Sequence, residues 1–232
     1  PRLTFLTPTS ILGTRVQTNL ITHELAHAWT GNLVTNATWQ DFWLNEGWTT
    51  YAETRISEVL EGRDTTDLNA AFHAHEIMNA MERLGMDSPQ TCLKQAEAVE
   101  ADSSAFTIPY HKGCFFLQAC ERAVGRVRFD AFIQSYMKRF QFQSITTETF
   151  LDFMKAELPD VFANVNVRQW VYEPGMPADW QRPHSHLFDE VQAALSAYQQ
   201  GILPTRAQAE NWRGNQIKSF LQGLPAKISA AD

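Results

Sequence analysis

Two histidines and a glutamate form a compact group near the start of the sequence, in the order His23-Glu24-Leu-Ala-His27. On a helix, residues four apart lie on one face, so the two imidazoles can bind the same ion. Zinc accepts imidazole nitrogen and carboxylate oxygen, and a catalytic zinc keeps one of its four positions open for water. Glu24 lies beside the first histidine, where its carboxylate can take a proton from that water. We therefore expect one zinc ion held by His23 and His27, with Glu24 as the general base.

Two further acids can complete the site. Glu46 follows Asn45, and we predict Glu46 as the third zinc ligand, on a helix with Asn45 as its N-cap. Glu53 lies two helical turns after Glu46 on the same face. A carboxylate there can hydrogen-bond a ligating histidine and orient it, which is the role that we predict for Glu53.

The five-residue motif can also arise by chance, in a helix whose histidines only pack in the core. Its surroundings favour a metal site, because the flanking hydrophobic residues keep helical spacing, without proline or glycine, up to Gly31. One other class of zinc enzyme is excluded. A metzincin needs a glycine and a third histidine at the positions that hold Thr30 and Leu33 here.

The elements that must position these residues are helical, and the fold class that we expect is mainly α. Hydrophobic spacing predicts helices over residues 14–29, 45–60, 64–86, 114–124, 129–140, 146–158, 186–199 and 207–221. Thr146 or Thr147 is the N-cap that we expect for the sixth of these helices. A weak alternation predicts a short strand over residues 3–7. Residues 173–185 contain three prolines and a glycine, which favours a linker.

Composition narrows the class of protein. With 232 residues, 44% of them hydrophobic and 19% charged, the chain can bury one large core or two small ones. The net charge is −7 and no basic stripe occurs, so we expect no nucleic-acid partner. No signal peptide or apolar stretch of membrane-spanning length occurs, so we expect no membrane partner. The three cysteines predict no disulfide framework, and we expect Cys114 and Cys120 in the core.

The metal-binding motifs resemble those of the zinc aminopeptidase family of gluzincins, in particular its leukotriene hydrolase and aminopeptidase B branch. The resemblance rests on His23-Glu-Leu-Ala-His27-Ala-Trp-Thr-Gly-Asn-Leu-Val-Thr and Trp43-Leu-Asn-Glu46-Gly, and it is strongest over residues 1–60 and 106–177. It implies a thermolysin-like catalytic domain over residues 1–176. It also implies, over residues 177–232, a linker and the first helices of a C-terminal helical domain. The activity implied is hydrolysis of the N-terminal peptide bond of a peptide substrate with a free N-terminus.

The resemblance implies roles for two more residues. Tyr110, in Pro-Tyr-x-Lys-Gly, matches a tyrosine that hydrogen-bonds the tetrahedral oxyanion. A phenol can donate to an oxyanion where charge develops, although spacing alone favours a tyrosine that packs at a helix start. Asp102 matches an aspartate of the substrate pocket. Ala105 replaces a second tyrosine that some members of the leukotriene branch carry, which argues against epoxide hydrolysis.

The sequence begins at Pro1 without a methionine, and we expect it to be part of a longer protein. In the family that it resembles, a Gly-x-Met-Glu-Asn motif that binds the substrate's amine precedes this region, and basic residues near the substrate's carboxylate follow it. We therefore expect the missing N- and C-terminal parts of the parent protein to be partners of this chain. Apolar surfaces that would meet those parts should make the chain self-associate when it is alone.

Three other functions remain open at this point. The same zinc chemistry could act on another substrate, as an endopeptidase or an epoxide hydrolase. The chain could be a non-catalytic zinc-binding module, although a structural zinc would need neither Glu24 nor Tyr110. It could also be a purely structural helical protein, which would bind no stoichiometric zinc.

Overall fold

The computed structural model describes residues 3–10, 18–96 and 104–225. The chain divides into two compact units, each built from two separate stretches. The first unit comprises Pro1–Ser57 and Glu76–Gln181, and the second comprises Glu58–His75 and Arg182–Asp232. The domain boundary expected between residues 176 and 177 stays a prediction.

Helices make up most of the described chain, which confirms the prediction of a mainly α fold. They are α1 (Thr18–Ala26), α2 (Trp43–Glu61), α3 (Arg63–Leu84), α4 (Thr107–Val124), α5 (Arg126–Phe140), α6 (Thr147–Glu157), α7 (Pro159–Asn164), α8 (Val167–Tyr172), α9 (His186–Tyr198), α10 (Arg206–Asn211) and α11 (Gly214–Gly223). Two short strands, β1 (Val34–Asn36) and β2 (Gln143–Ile145), pair in parallel. Within the described ranges, no helix has both the length and the apolar character needed to cross a membrane.

The helix that carries the first histidine is shorter than the sequence predicts. It ends at Ala26, because the N–H groups of residues 28 and 29 donate to carbonyls three residues back rather than four. His27 still keeps helical register, since its N–H donates to the His23 carbonyl at 3.2 Å. The predicted start of this helix, at residues 14–17, lies outside the described residues.

The strand predicted over residues 3–7 is wrong, because this segment has no regular secondary structure. A strand needs a neighbour to accept and donate its backbone hydrogen bonds. In the described part of the chain the sheet has only two strands, and neither of them pairs with this segment. Leu3, Phe5 and Leu6 are consequently exposed.

Helix α2 begins at Trp43, so Asn45 lies in its first turn and is not the predicted N-cap. The Asn45 side chain lies instead against Gly31, where an added Cβ would be only 2.2 Å from Asn45 Oδ1. Gly31 also has a φ of +102°, in the region that favours glycine. The turn between α1 and α2 therefore requires glycine at this position, for space and for backbone conformation.

Aromatic side chains hold α2 in the core of the first unit. The Trp48 ring stacks on Tyr136 of α5, with centroids 5.3 Å apart. The Trp43 ring meets Phe150 of α6 edge-on at 5.4 Å, and its Nε1 donates to Thr147 Oγ1 at 3.0 Å. Such rings contribute both buried area and geometric preference, so they fix where α2 lies relative to α5 and α6.

Two local predictions are confirmed in the same unit. Cys114 and Cys120 are buried free thiols, as expected for core cysteines. Thr146 is the N-cap of α6, since its hydroxyl accepts a hydrogen bond from the Thr149 N–H at 3.2 Å. Both features depend on local sequence signals, which explains why they could be predicted.

In the second unit, α9 packs against α11. The single helix predicted over residues 207–221 is wrong, because Trp212 and Arg213 are extended and separate α10 from α11. Gln216 stabilises this break, since its side-chain oxygen accepts a hydrogen bond from the Arg213 N–H at 3.0 Å. The Trp212 ring then packs on Phe220 of α11, with centroids 5.1 Å apart.

Candidate metal centre and active site

The three side chains predicted as metal ligands lie together in the first unit. His23 Nε2 is 3.1 Å from Glu46 Oε2, and His27 Nε2 is 3.5 Å from the same oxygen. Their potential ligand atoms all lie within 4.8 Å of one another. Ligands bound about 2.0–2.1 Å from a tetrahedral zinc lie roughly 3.3 Å apart, so these atoms have nearly the spacing that the ion requires. Two imidazoles and a carboxylate therefore fit zinc both in chemistry and in position.

His23 is oriented by a carboxylate on its other side. Its Nδ1 lies 3.1 Å from Glu53 Oε2, which leaves Nε2 directed at Glu46. Burial lowers the pKa of His23, but the hydrogen bonds and charges of Glu46 and Glu53 outweigh burial and raise this pKa to about 9. Two carboxylates around one imidazole thus attract positive charge. A divalent cation would replace the proton, because a ligating histidine must be neutral.

His27 is oriented by a different kind of partner. Its Nδ1 lies 3.0 Å from the Thr30 carbonyl oxygen and 3.2 Å from the Thr49 hydroxyl. A carbonyl can only accept, so the proton of the neutral imidazole lies on Nδ1 and the lone pair lies on Nε2. This tautomer directs Nε2 at the metal position, as required of a ligand.

Thr49 is a site residue that the motifs did not predict. It lies three residues after Glu46 and four before Glu53, so all three side chains share one face of α2. Thr49 is fully buried, and its hydroxyl also donates to the Asn45 carbonyl at 2.8 Å. The helical spacing was the signal that could have revealed it.

Glu24, the predicted general base, faces a cavity beside the ligand set. The cavity has a volume of about 240 Å³, and Glu24 and His27 are among the residues that line it. The others are Leu3, Thr4, Phe5, Ala28 and Asn32. A carboxylate on this wall can reach both a water near the ligands and a substrate that occupies the cavity.

Tyr110, the predicted oxyanion donor, lies on α4 next to the ligand set. Its ring stacks on that of His23, with centroids 5.9 Å apart and planes 19° from parallel. Burial raises the pKa of Tyr110, and the negative charges of the nearby Glu46 and Glu24 carboxylates raise it further. The phenol therefore stays protonated at neutral pH and remains able to donate a hydrogen bond.

A contact between two glycines brings α4 close to α2. A Cβ on Gly47 would lie 2.8 Å from Gly113 Cα, and a Cβ on Gly113 would lie 2.8 Å from Gly47 Cα. No side-chain atom tolerates such a distance to backbone atoms. The two helices can therefore cross this closely only because both residues at the crossing are glycines. Gly47 follows Glu46 directly, and Gly113 lies three residues after Tyr110. The crossing therefore sets the separation of Glu46 and Tyr110.

Two positions discussed from the sequence lie just before α4. Asp102, the predicted pocket residue, falls outside the described residues. Ala105 is fully buried in a short 3-10 turn, Ser104–Phe106. An alanine side chain there offers no hydroxyl to the site.

Sequence comparison identifies relatives over most of this chain. A leucine aminopeptidase 2-1 of Meyerozyma guilliermondii is 38% identical over 183 residues, which are 76% of this chain and 30% of the relative. A leukotriene A-4 hydrolase of Xenopus laevis is 38% identical over 182 residues, again 76% of this chain and 30% of the relative. The chain thus spans about a third of the length of the curated relatives that it matches.

Structural comparison gives the same result. The structure of yeast LTA4 hydrolase in complex with bestatin superposes with a TM-score of 0.81 and 32% identity, over 96% of this chain and 38% of that one. An M1 zinc metallopeptidase from Deinococcus radiodurans superposes with a TM-score of 0.55 and 29% identity, over 72% of this chain and 35% of that one. The Peptidase family M1 domain matches residues 4–171. These matches confirm the family expected from the sequence, and the chain belongs to peptidase family M1.

Proposed function

We propose that this chain is the catalytic segment of a zinc-dependent aminopeptidase. The observation that carries the proposal is that a ligand set, a carboxylate and a phenol converge at one place in the first unit. Peptide hydrolysis by an activated water needs a metal, a base and a donor to the oxyanion. A zinc held only for structure would need neither of the last two.

Each side chain has a definite task in this reaction. His23, His27 and Glu46 would hold the ion. The chemistry that bound zinc supplies is Lewis acidity, which polarises the scissile carbonyl and lowers the pKa of water toward neutrality. Glu24 takes a proton from the attacking water and passes it to the leaving amine. Tyr110 donates a hydrogen bond to the oxyanion as negative charge develops on it.

The substrate that we propose is a peptide with a free N-terminus, cleaved at its first peptide bond. Several relatives that match nearly the whole chain are named leucine aminopeptidase 2, which supports this substrate class. The cavity beside Glu24 and His27 offers about 240 Å³, enough for part of a peptide next to the ligand set. The activity belongs to the full-length protein, since this chain spans only part of its relatives.

Epoxide hydrolysis is the second candidate, because some relatives are named leukotriene A-4 hydrolase. It would use the same ion and a different set of groups to open the ring. Ala105 argues against it, because a buried methyl group can neither donate a proton nor stabilise a carbocation or oxyanion near Tyr110.

The proposal is tested by measuring how fast the full-length protein hydrolyses leucyl p-nitroanilide and its N-acetylated form. Zinc content is measured in parallel. We expect turnover of the free amine only. Glu24→Gln should keep its zinc and lose about 10²- to 10⁴-fold in kcat. Glu157→Gln, an exposed change on α6, is the control and should leave kcat unaltered. Equal turnover of the acetylated substrate would indicate an endopeptidase, and a protein without zinc would overturn the proposal.

A further inference from the structure

A lysine is buried in the core behind Tyr110. Lys112 follows Tyr110 by two residues on α4, and its side chain is completely inaccessible to solvent. Its Nζ donates to the Thr91 carbonyl at 2.9 Å and to the Glu173 carbonyl at 3.0 Å. Burying an ammonium group is unfavourable, so an apolar side chain would fill the same space at a lower cost in free energy. The position of the ammonium therefore calls for a reason other than packing.

The two carbonyls belong to loops that are already joined to each other. Residues 88–95, together with the end of α8 and the turn after it at residues 171–175, form what we call the loop pair. The Gly175 N–H donates to Thr91 Oγ1 at 2.8 Å, and the Lys94 N–H donates to the Val171 carbonyl at 2.9 Å. Because the loop pair is internally bonded, Lys112 connects α4 to one rigid support rather than to two independent loops.

The direction of this connection matters for Tyr110. Residues two apart on a helix are separated by about 200° of rotation, so Lys112 and Tyr110 project from opposite sides of α4. Beside Tyr110, the contact of α4 with α2 is made by glycines, Gly113 against Gly47, which have no side chains that interlock. Side-chain contacts between the two helices begin one turn after Tyr110, at Cys114. On the far side of α4, the ammonium therefore anchors the turns of the helix that carry the phenol.

We propose that Lys112 is a positioning residue for Tyr110. Its two hydrogen bonds to the loop pair hold the first turns of α4 in place and so keep the Tyr110 phenol over the ligand set. A displacement of about 1 Å in a catalytic group can cost 10²-fold in rate, so a weak hold on α4 would be costly. The inference rests on the proposed role of Tyr110 as oxyanion donor.

The test is a double-mutant cycle in the full-length, zinc-loaded protein. The variants are Lys112→Met, Tyr110→Phe and the combination, assayed for kcat and KM with leucyl p-nitroanilide. We expect K112M to lower kcat about 10- to 100-fold with KM within about twofold and with unchanged zinc content. In the Y110F background, K112M should lower kcat by less than about twofold, because there is no phenol left to position. Lys138→Met, an exposed change on α5, is the matched control and should leave kcat unaltered.

The outcomes separate this inference from the proposed function. If Y110F leaves kcat unchanged, the oxyanion role is wrong and the inference falls with it. If Y110F lowers kcat but K112M has the same effect with and without the phenol, Lys112 acts on general stability and only the inference is overturned. Should K112M not fold, Lys112→Gln serves in its place, since its amide keeps a polar group at the buried position but is one atom shorter and weakens both hydrogen bonds. K112Q should then lower kcat in the wild-type background and change it by less than about twofold in the Y110F background. An equal loss in both backgrounds would count against the inference.

Discussion

Each of the two histidines that we propose as zinc ligands has its second ring nitrogen bonded to a different kind of partner. His23 has the carboxylate of Glu53, whereas His27 has a backbone carbonyl and the Thr49 hydroxyl. A carboxylate raises the basicity of an imidazole more than a neutral oxygen does. At the scale of single residues, His23 is therefore the stronger donor, and its strength depends on Glu53.

Replacement of Glu53 by glutamine should weaken zinc binding and leave the ligands in place. The amide oxygen of glutamine can still accept from His23 Nδ1, but it carries no charge, so we expect the zinc affinity to fall about 10- to 100-fold. Competition with a chelator of known affinity measures the change. Thr49→Val should have a smaller effect, because the Thr30 carbonyl still accepts from His27. An unchanged zinc affinity in Glu53→Gln would contradict the orienting role.

At the scale of elements, the site depends on how two helices cross. Helix α2 carries Glu46, Thr49 and Glu53, and α4 carries Tyr110. Their approach is set by an absence of side chains at Gly47 rather than by a bond between the functional groups. Gly47 has no reactive group, yet it controls the position of the Tyr110 phenol relative to the ligand set.

Gly47→Ala should push α4 away from α2. The added methyl would lie 2.8 Å from Gly113 Cα and 3.0 Å from the Pro109 carbonyl, both backbone atoms that cannot move aside alone. We expect the free energy of unfolding to fall by about 1–3 kcal/mol, as in other overpacked cores, and kcat to fall further than the zinc affinity. Chemical denaturation and zinc titration check the two effects.

Gly113→Ala provides an internal check, since its Cβ would make the same clash from the other side. The helix propensity of alanine would by itself stabilise both helices by about 0.5–1 kcal/mol. If Gly47→Ala and Gly113→Ala were both more stable than the wild type, the helix crossing would tolerate a side chain. The close approach of α2 and α4 would then not be needed.

At the scale of the whole molecule, α1 has an apolar face toward solvent. Ile21, Leu25 and Trp29 follow one another at intervals of four residues and are 41%, 52% and 56% exposed. Such a contiguous stripe is uncommon on a soluble monomer and usually belongs to an interface. His23 and His27 lie on the same short segment, so the exposed stripe and two of the three predicted ligands belong to α1 and the turn that follows it.

The 232-residue chain expressed alone should therefore self-associate. Multi-angle light scattering over a range of concentrations measures this, and we expect the mean mass to rise with concentration. The association should decrease in the triple variant that combines Ile21→Ser, Leu25→Ser and Trp29→Ser. Val127→Ser, at a position that is 88% exposed on α5, is the control for the loss of one exposed apolar side chain. A monomer at every concentration would contradict the expectation.

The groups proposed to carry the chemistry can be read from local sequence. His23 and His27 are predicted as metal ligands because donor type and the i, i+4 spacing are local properties, with Glu24 as the base beside them. Helical periodicity places Glu53 on the same face as Glu46, the predicted third ligand. The mainly α fold, an N-cap at Thr146 or Thr147 and the buried cysteines are also predictable, since helix formation and capping depend on neighbours a few residues apart.

The contacts that hold those groups in place join distant parts of the chain and are visible only in the folded molecule. The Lys112 ammonium bonds to carbonyls 21 and 61 residues away, and the Gly47 contact joins two helices. The sequence-based interpretation misplaced the start of α2 because Asn45 lies against Gly31 instead of capping the helix. The local spacing of residues specifies which side chains can bind a metal ion or transfer a proton. Their distances depend on contacts between segments far apart in the chain, because close packing and the pairing of buried polar groups are satisfied only in the folded molecule.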